Sequence, residues 1–410
     1  MTWEDAENQS RDPPTSIARV LDVSSDPLGC HITSTVSPLR VLVVMPLGAQ
    51  RGGAEMMLQQ LLAHRARARI EPTVAFLEDG PLVEWSRRLP VAAQVIGAGR
   101  LRQLRTYGRT LGAVGRLARA IDAQLVLGWM PKGHLYGGPA AAMTARPAAW
   151  LQAGLPTGAA AIDRAATAMP AAGVLTVSRA GDSAQRALRP RRPTYLVHPG
   201  VDTERFDARR VPDRRTVRRR LGLPLDAPIF GSVGRFERMK GFHVILDAAA
   251  FLRSTYPDAC CVLVGAPHPL DAGYVDELRG RAHRLGLDGN VVFAGHRDDP
   301  EAWMQAMDVF VLASHNEAFG MVVLEAMALG KPVVATAEGG PTDVITSEGQ
   351  GTLVPWGDAR ALSYAVARFV ADQALRDRVG EAARRRAQAF SAQSYAARMG
   401  DVLAELATRR

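Results

Sequence analysis

Residues 229–241 read IFGSVGRFERMKG, a short apolar run followed by a glycine turn with a cation on each side. The run Ile229–Val233 is typical of a buried parallel strand, and a helix is predicted just after Gly241. Arg235 offers a planar guanidinium and Lys240 a point charge, and together with the free N–H groups of a helix N-terminus they suit a diphosphate. The stretch therefore predicts a strand, a phosphate-binding turn and a helix. The alternative is a turn with two solvated cations.

The same alternation of short apolar runs and helical stretches extends to both sides of this unit. It begins at Arg40–Met45 and reaches Thr352–Val354, and the Arg-rich segment Phe206–Arg220 interrupts it as a linker with a short basic helix. Two series of βα units predict the α/β class with two facing, doubly wound Rossmann-like domains, whose ligands bind at the carboxyl ends of the strands. The predicted division is a flexible N-terminal extension at 1–38, an N-terminal domain at 39–205 and a C-terminal domain at 206–390.

Composition narrows the class of protein. The 410 residues are 47% hydrophobic and 22% charged, as in ordinary globular domains, and the formal net charge of +9 favours anionic partners. The three cysteines, Cys30, Cys260 and Cys261, have neither zinc nor disulfide spacing, which favours a reducing compartment. The first residues do not follow a signal-peptide pattern, and no apolar run reaches the ~18 residues of a membrane span. We therefore expect a cytoplasmic protein.

A cluster of arginines in the N-terminal half predicts a basic surface. Its members, spaced in part for one helical face, are Arg100, Arg102, Arg105, Arg109, Arg116 and Arg119. Such a face predicts peripheral contact with the inner membrane face, because each basic residue near an anionic surface contributes about 1 kcal/mol. A soluble acceptor fits the charge equally well. Apart from Tyr107 the cluster lacks interleaved aromatic residues, so no nucleic acid is expected as a partner.

A second informative stretch, Ala313–Gly330, runs from a predicted strand through a loop into a helix. The helix is predicted to start near Ala318, which places Glu325 about two turns into it among apolar neighbours. A partly buried carboxylate needs partners, and ribose hydroxyls are suitable ones, whereas the loop residue Glu317 suits hydroxyls of a sugar. The backbone amides at the helix start are expected to be free for phosphate or sugar oxygens: Phe319, Gly320, Met321 and Val322.

Together these stretches resemble the large retaining glycosyltransferase family 4, whose members share the two-domain GT-B fold. The pattern Gly-Arg-x4-Lys-Gly matches at residues 234–241, and Glu-x7-Glu matches at Glu317 and Glu325. Further similar elements occur in the same order along the chain: His198-Pro199-Gly200-Val201-Asp202, Phe293-Ala294-Gly295-His296, Pro332-Val333-Val334-Ala335 and Gly339-Gly340. Each motif is weak alone, but the ordered set, from about residue 174 to 390, is specific.

The resemblance implies a role for each matching residue of the C-terminal half. Arg235 and Lys240 would bind the donor diphosphate and stabilise it as it leaves. Glu317 would hold hydroxyls of the donor sugar, and Glu325 would hold the ribose. The segment His296-Arg297 would lie beside the base.

In the N-terminal half the resemblance is less complete. Gly52 and Gly53 match the glycine loop that approaches the acceptor and the donor phosphates. Family members often carry a histidine after one or both of two N-domain strands, where this chain has Trp129 and Gln152. His134 lies nearby in a predicted loop, where it would serve the sugar or the acceptor, or have no catalytic role.

The last stretch, residues 391–410, is predicted to be a helix. Tyr395, Met399, Val402 and Leu406 fall at helical spacing, so one face requires burial. The resemblance places that face on the N-terminal domain, which would make the helix a second crossing of the cleft.

The implied reaction is retaining transfer of a hexosyl group from a nucleotide-diphosphate sugar, such as a UDP or GDP sugar, to an acceptor hydroxyl. No metal and no cofactor are expected, because the sequence contains no Asp-x-Asp motif. In the front-face mechanism usually ascribed to the family, the leaving phosphate helps to take the acceptor proton. The acceptor, whether glycan, lipid-linked or small molecule, is not readable. Two alternatives stay open: a catalytically silent GT-B protein that binds sugar nucleotides, and a nucleotide-sugar epimerase of similar fold.

Overall fold

A computed structural model gives the structure of residues 37–49, 52–99, 101–156, 160–188, 193–268 and 271–409. Residues 38–410 form one compact unit. The predicted extension at 1–38 lies outside the described residues except for its last two, and Arg100 of the basic cluster also lies outside them.

The N-terminal half of the described chain forms a parallel sheet of seven strands in the order β3-β2-β1-β4-β5-β6-β7. The strands are β1 (Leu39–Met45), β2 (Ile70–Phe76), β3 (Ala92–Val95), β4 (Leu125–Trp129), β5 (Ala148–Gln152), β6 (Gly173–Thr176) and β7 (Thr194–Leu196). The helices between them are α1 (Gly53–Ala63), α2 (Arg65–Ala68), α3 (Pro81–Arg87), α4 (Leu104–Ala120), α5 (Met130–Met143), α6 (Ala161–Ala168) and α7 (Arg179–Leu188). The strand order reverses between β1 and β4, so the loop after β1 opens into a crevice at the sheet edge.

A second parallel sheet follows, with six strands in the described residues and the order β10-β9-β8-β11-β12-β13. The strands are β8 (Ile229–Val233), β9 (Cys260–Val264), β10 (Val291–Gly295), β11 (Val309–Leu312), β12 (Val333–Thr336) and β13 (Thr352–Val354). The helices are α8 (Arg214–Leu221), α9 (Phe242–Arg253), α10 (Tyr274–Arg284), α11 (Pro300–Ala306), α12 (Met321–Ala328), α13 (Pro341–Val344), α14 (Ala359–Ala371), α15 (Gln373–Gln388) and α16 (Ala392–Ala407), with a 3-10 turn at Arg238–Lys240. The reversal between β8 and β11 places the two motif loops side by side.

The predicted α/β class with two doubly wound sheets is confirmed. The edge strand β3, whose residues are alternately exposed and half-buried, lacks the continuous apolar run that is typical of a buried parallel strand.

The helix α16 packs on the first sheet's side of the molecule, against α1, α2, β4 and β5. Its buried residues include Tyr395, Met399 and Leu406. A Cβ added to Gly400 would lie 2.0 Å from the carbonyl oxygen of Ala68, so the two helices touch through their backbones. The chain therefore returns to the N-terminal sheet after completing the second one.

Among the helices of the described ranges, none combines the length and the apolar character that a membrane span requires.

Candidate active site

The centre of the site is an ion pair between the two motif loops. The Lys240 ammonium donates to the Glu317 carboxylate, with 2.7 Å between Nζ and Oε2. The side chain of Glu317 is only 11% exposed and that of Lys240 is 26% exposed. Burial alone would raise the pKa of Glu317, but the charge and hydrogen bond of Lys240 outweigh it and hold that pKa below the usual 4.5. Glu317 is therefore ionised at neutral pH, and the pair lies where the carboxyl ends of β8 and β11 meet.

The backbone fixes both loops against each other. Gly241 has a positive φ of 67°, and a Cβ there would lie 2.0 Å from the carbonyl oxygen of Ala313, at the end of β11. Gly339, after β12, also has a positive φ, and a Cβ there would lie 1.9 Å from the carbonyl oxygen of Glu317. Only glycine fits such positions without displacing the neighbouring backbone, so these glycines hold Lys240 and Glu317 in register.

Arg235 and the N-terminal glycine loop face each other across the crevice. The Arg235 side chain is 40% exposed and lies 3.4 Å from the carboxylate of Glu237. A Cβ placed on Gly52 would lie 3.8 Å from Cζ of Arg235, and one on Gly53 would lie 3.1 Å from the sulfur of Met321. The loop after β1 of the first sheet thus meets the Arg235 turn and the start of α12 of the second sheet.

Glu325 occupies a buried position on α12. It is 5% exposed, and burial raises its pKa from the usual 4.5 to about 7. The nearby charge of Arg205 lowers that pKa and the charge of Glu301 raises it, both by less than the effect of burial. A carboxylate so poorly solvated gains much from a hydroxyl donor.

The structure also shows how Arg205 ties this region together. Its Nε donates to the Glu301 carboxylate at 3.0 Å, and its NH2 group donates to the carbonyl oxygen of Asp298 at 2.7 Å. Asp298 follows His296 and Arg297, the pair predicted to lie by the base. Arg205 therefore links the segment after β7 to the loop after β10 and to the start of α11.

His296 and Arg297 follow β10, the edge strand of the second sheet. The His296 side chain is 70% exposed and lies 3.2 Å from the Asp298 carboxylate. The Arg297 guanidinium lies over the ring of Trp303, 5.3 Å from its centroid. Both residues thus follow the carboxyl end of β10, in the loop that Arg205 binds.

The start of α12 differs from the prediction. The helix begins at Met321, because Gly320 has a positive φ of 87° and separates it from the preceding loop. Glu325 therefore lies one turn into the helix, and the expectation of two turns was wrong. Phe319 therefore precedes the helix, whereas the other predicted amides, those of Gly320, Met321 and Val322, lie at its start.

The prediction that His134 lies in a loop was wrong. His134 is on α5 and is completely buried, and its ring stacks on that of Trp150 with 5.2 Å between centroids. It lies in the interior and does not line the crevice as an acceptor or phosphate residue. Trp129 is also buried, and its indole donates to the carbonyl oxygen of Ala54, which holds the start of α1 in place.

Two residues near the site were not predicted from the sequence. Glu55, in the first turn of α1, is buried, and its Oε2 lies 3.9 Å from the Cβ position of Gly52. Arg205, which directly precedes the predicted linker, was assigned no role. An acid two residues after a glycine pair at a helix start is a signal that could have indicated Glu55, whereas no local pattern distinguishes Arg205.

Comparison with known proteins identifies the fold and the C-terminal half. The chain and HepE of Anabaena, solved in complex with UDP-glucose, superpose with a TM-score of 0.80 at 25% identity over 90% of this chain and 100% of that one. The chain therefore has the GT-B fold of two Rossmann-like domains. Residues 213–386 match the family model Glycosyl transferases group 1 and form a domain of that family. This confirms the resemblance carried by the motifs.

Relatives with curated functions match part of the chain. The lipopolysaccharide core biosynthesis glycosyltransferase LpsE of Rhizobium meliloti is 40% identical over 164 residues, which is 40% of this chain and 46% of that protein. A D-inositol 3-phosphate glycosyltransferase of Corynebacterium urealyticum is 36% identical over 217 residues, or 52% and 51% of the two chains. The chain thus spans about half the length of the curated relatives that it matches.

Proposed function

We propose that this protein is a retaining, metal-independent glycosyltransferase that moves a hexosyl group from a nucleotide-diphosphate sugar to an acceptor hydroxyl. The observation that carries the proposal is the Lys240–Glu317 ion pair at 2.7 Å, with Arg235 beside it and the Gly52–Gly53 loop opposite. The cations of Arg235 and Lys240 suit the diphosphate of a sugar nucleotide. The Glu317 carboxylate, which can accept hydrogen bonds from hydroxyls, suits its sugar.

The chemistry follows from these charges. The bond between the anomeric carbon and the phosphate oxygen breaks while the acceptor oxygen bonds to the same face of that carbon. The acceptor proton goes to an oxygen of the leaving diphosphate. Arg235 and Lys240 stabilise the negative charge that develops on the diphosphate, which is the largest contribution expected in such a site. Glu317 orients the sugar and keeps Lys240 in position.

The comparisons suggest the chemical class of the substrates. HepE was solved with UDP-glucose, which makes UDP a suitable first nucleotide to test and GDP the next. LpsE acts in lipopolysaccharide core biosynthesis, which supports a glycan as the acceptor. A catalytically silent sugar-nucleotide binder and a nucleotide-sugar epimerase are the alternatives, and they differ in product: the first forms none, and the second returns an isomeric nucleotide sugar.

The test is turnover of a panel of UDP and GDP sugars, with and without excess EDTA. We expect slow hydrolysis of one nucleotide sugar, at the same rate in EDTA, since Arg235 and Lys240 supply the charge that a cation would. Proton NMR should show that the sugar is released with the anomeric configuration of the donor, before the two anomers equilibrate in solution. Complete loss of turnover in EDTA, restored by Mg²⁺ or Mn²⁺, would overturn metal independence, and an isomerised nucleotide sugar would identify an epimerase.

We further propose a cytoplasmic location with peripheral contact to the inner membrane face through α4. Arg105, Arg109 and Arg116 are exposed on this helix, and Leu104 at its start is 78% exposed. Cations beside an exposed apolar side chain suit an anionic lipid surface.

Co-sedimentation with phosphatidylglycerol liposomes at low salt tests this contact. Reversing three charges on α4 should weaken liposome binding at least 100-fold. Each lost cation costs about 1 kcal/mol, and each new glutamate is in addition repelled by the anionic lipid. The matched control reverses three exposed arginines of α14 and α15 and should bind like the wild type. The variants are R105E/R109E/R116E and, as control, R368E/R378E/R385E. Equal binding of both triple variants, or no binding of the wild type, would refute the contact.

A further inference from the structure

An exposed aromatic pair lies at the rim of the crevice, outside the residues assigned so far. Trp356 follows β13 and is 43% exposed, and no other tryptophan in the described ranges is exposed. Its ring lies against that of His315, with 4.3 Å between centroids and 36° between planes. We call these two residues the aromatic platform.

Polar groups hold the platform and extend beyond it. The Glu338 carboxylate accepts from Nδ1 of His315 at 2.8 Å and from the backbone amide of Asn316 at 3.3 Å, both through Oε2. The Asn316 side chain donates to Nε2 of the same ring at 2.9 Å, which assigns the proton of His315 to Nδ1. These bonds use neither Oε1 of Glu338 nor the amide oxygen of Asn316. Two acceptors therefore remain at the edge of the aromatic platform.

A backbone hydrogen bond joins this corner to the turn that holds Lys240. The His315 amide donates to the carbonyl oxygen of Met239, the residue before Lys240, at 2.7 Å. Asn316 directly precedes Glu317 and has a positive φ of 50°, which is uncommon for a residue other than glycine. Strained backbone of this kind persists where the surroundings impose it and is concentrated at functional sites.

The chemistry of the platform indicates a sugar ring. A pyranose presents an apolar C–H face, which stacks on an aromatic ring, and equatorial hydroxyls, which donate to carboxylate and amide oxygens. The Glu338 carboxylate disfavours phosphate and other anions at the same place. From the platform a sugar chain would extend along the crevice rim past the Lys240–Glu317 pair.

We propose that the aromatic platform, with Glu338 and Asn316, is a carbohydrate subsite that binds a sugar unit of the acceptor glycan away from the reacting hydroxyl. The proposal rests on the proposed function, because it takes the acceptor to be a glycan. It adds to that function a binding site on the C-terminal half, which keeps an oligosaccharide acceptor in place while the donor is bound.

The test is binding to an array of bacterial surface oligosaccharides, followed by titration of the strongest glycan. W356A should weaken that glycan's binding about tenfold, a typical effect of an aromatic contact. E338Q removes the charged acceptor while an amide oxygen can still hold His315, so it should also weaken binding and serves if W356A fails to fold. The control is Y364A, at an exposed tyrosine of α14, which should bind like the wild type.

The readouts separate this proposal from the function on which it rests. In each variant, the thermal shift produced by UDP-glucose and the hydrolysis of the donor are measured without any glycan. Weaker glycan binding with an unchanged response to UDP-glucose supports the subsite. Unchanged glycan binding by both W356A and E338Q, or no binding of any array glycan by the wild type, overturns it, whereas failure of the wild type to respond to any nucleotide sugar counts against the proposed function alone.

Discussion

Replacing Lys240 or Arg235 with alanine should lower kcat by about 10²–10³-fold while the protein stays folded, because a preorganised donor to developing charge typically contributes that much. The Nζ of Lys240 lies 2.7 Å from the Glu317 carboxylate, so Lys240 serves this acid as well as the diphosphate that we propose it binds. Its removal also leaves the buried Glu317 without its cation, so the pKa of Glu317 should rise in K240A. Donor hydrolysis at saturating nucleotide sugar measures the loss.

Arg238 provides a matched control in the same turn. Its guanidinium is bound by Glu277 of α10, and its backbone amide donates to Asp271, so it points away from the crevice. R238A should therefore retain a rate close to that of the wild type. Wild-type rates in both R235A and K240A, or an equally large loss in R238A, would show that the diphosphate does not bind at this turn.

E325Q should make the protein more stable at pH 8 and at the same time weaken its binding of nucleotide sugars. Burial raises the pKa of Glu325 from the usual 4.5 to about 7, so the folded state holds a proton that the unfolded state releases. Stability must then fall as the pH rises from about 4.5 to 7, and the loss is complete above pH 7. At 1.36 kcal/mol for each pKa unit, the ionisation of Glu325 lowers the free energy of unfolding by about 3 kcal/mol above pH 7, and glutamine avoids this loss.

E325Q should weaken the binding of nucleotide sugars even though it stabilises the fold. An ionised carboxylate is a stronger acceptor for ribose hydroxyls than an amide, so the Kd for UDP-glucose should rise about 10- to 100-fold in E325Q at pH 8. The wild type should bind UDP-glucose more tightly as the pH rises through 7, and E325Q should not show this dependence. UDP-glucose is preferable to UDP, because its diphosphate lacks a terminal phosphate that ionises in this range.

Denaturant unfolding and calorimetric titration at pH 5 and pH 8 measure both effects. E84Q, at an exposed glutamate of α3, is the control and should change neither quantity. If E325Q binds UDP-glucose as the wild type does, Glu325 does not hold the ribose, whatever its effect on stability.

The sequence predicted those parts of the site that depend on one strand and the loop after it. Arg235 and Lys240 follow β8, and Glu317 follows β11, so parallel pairing of the two strands brings them together without further information. The helix start at Met321 was misplaced because the positive φ of Gly320, and not the helix propensity of Ala318 and Phe319, ends the loop.

Features that depend on distant parts of the chain were not predictable. Arg205 contacts Glu301, 96 residues later, and nothing in the local sequence marks the pair. The position of His134 depends on stacking against Trp150 of β5, whereas the neighbouring Pro131 and Gly133 favoured a loop. Such contacts are set by tertiary packing, which overrides local propensity.

The packing of α16 on the first sheet has a consequence for synthesis of the chain on the ribosome. The strands β1 to β7 end at Leu196, but the helix that covers α1 and α2 begins only at Ala392. At 5–20 residues per second, translation needs roughly 10 to 40 s to reach α16 after β7 is complete. During that interval the apolar surface later covered by Tyr395, Met399 and Leu406 is without its partner, so the nascent N-terminal half is a natural client for chaperones that shield apolar surface.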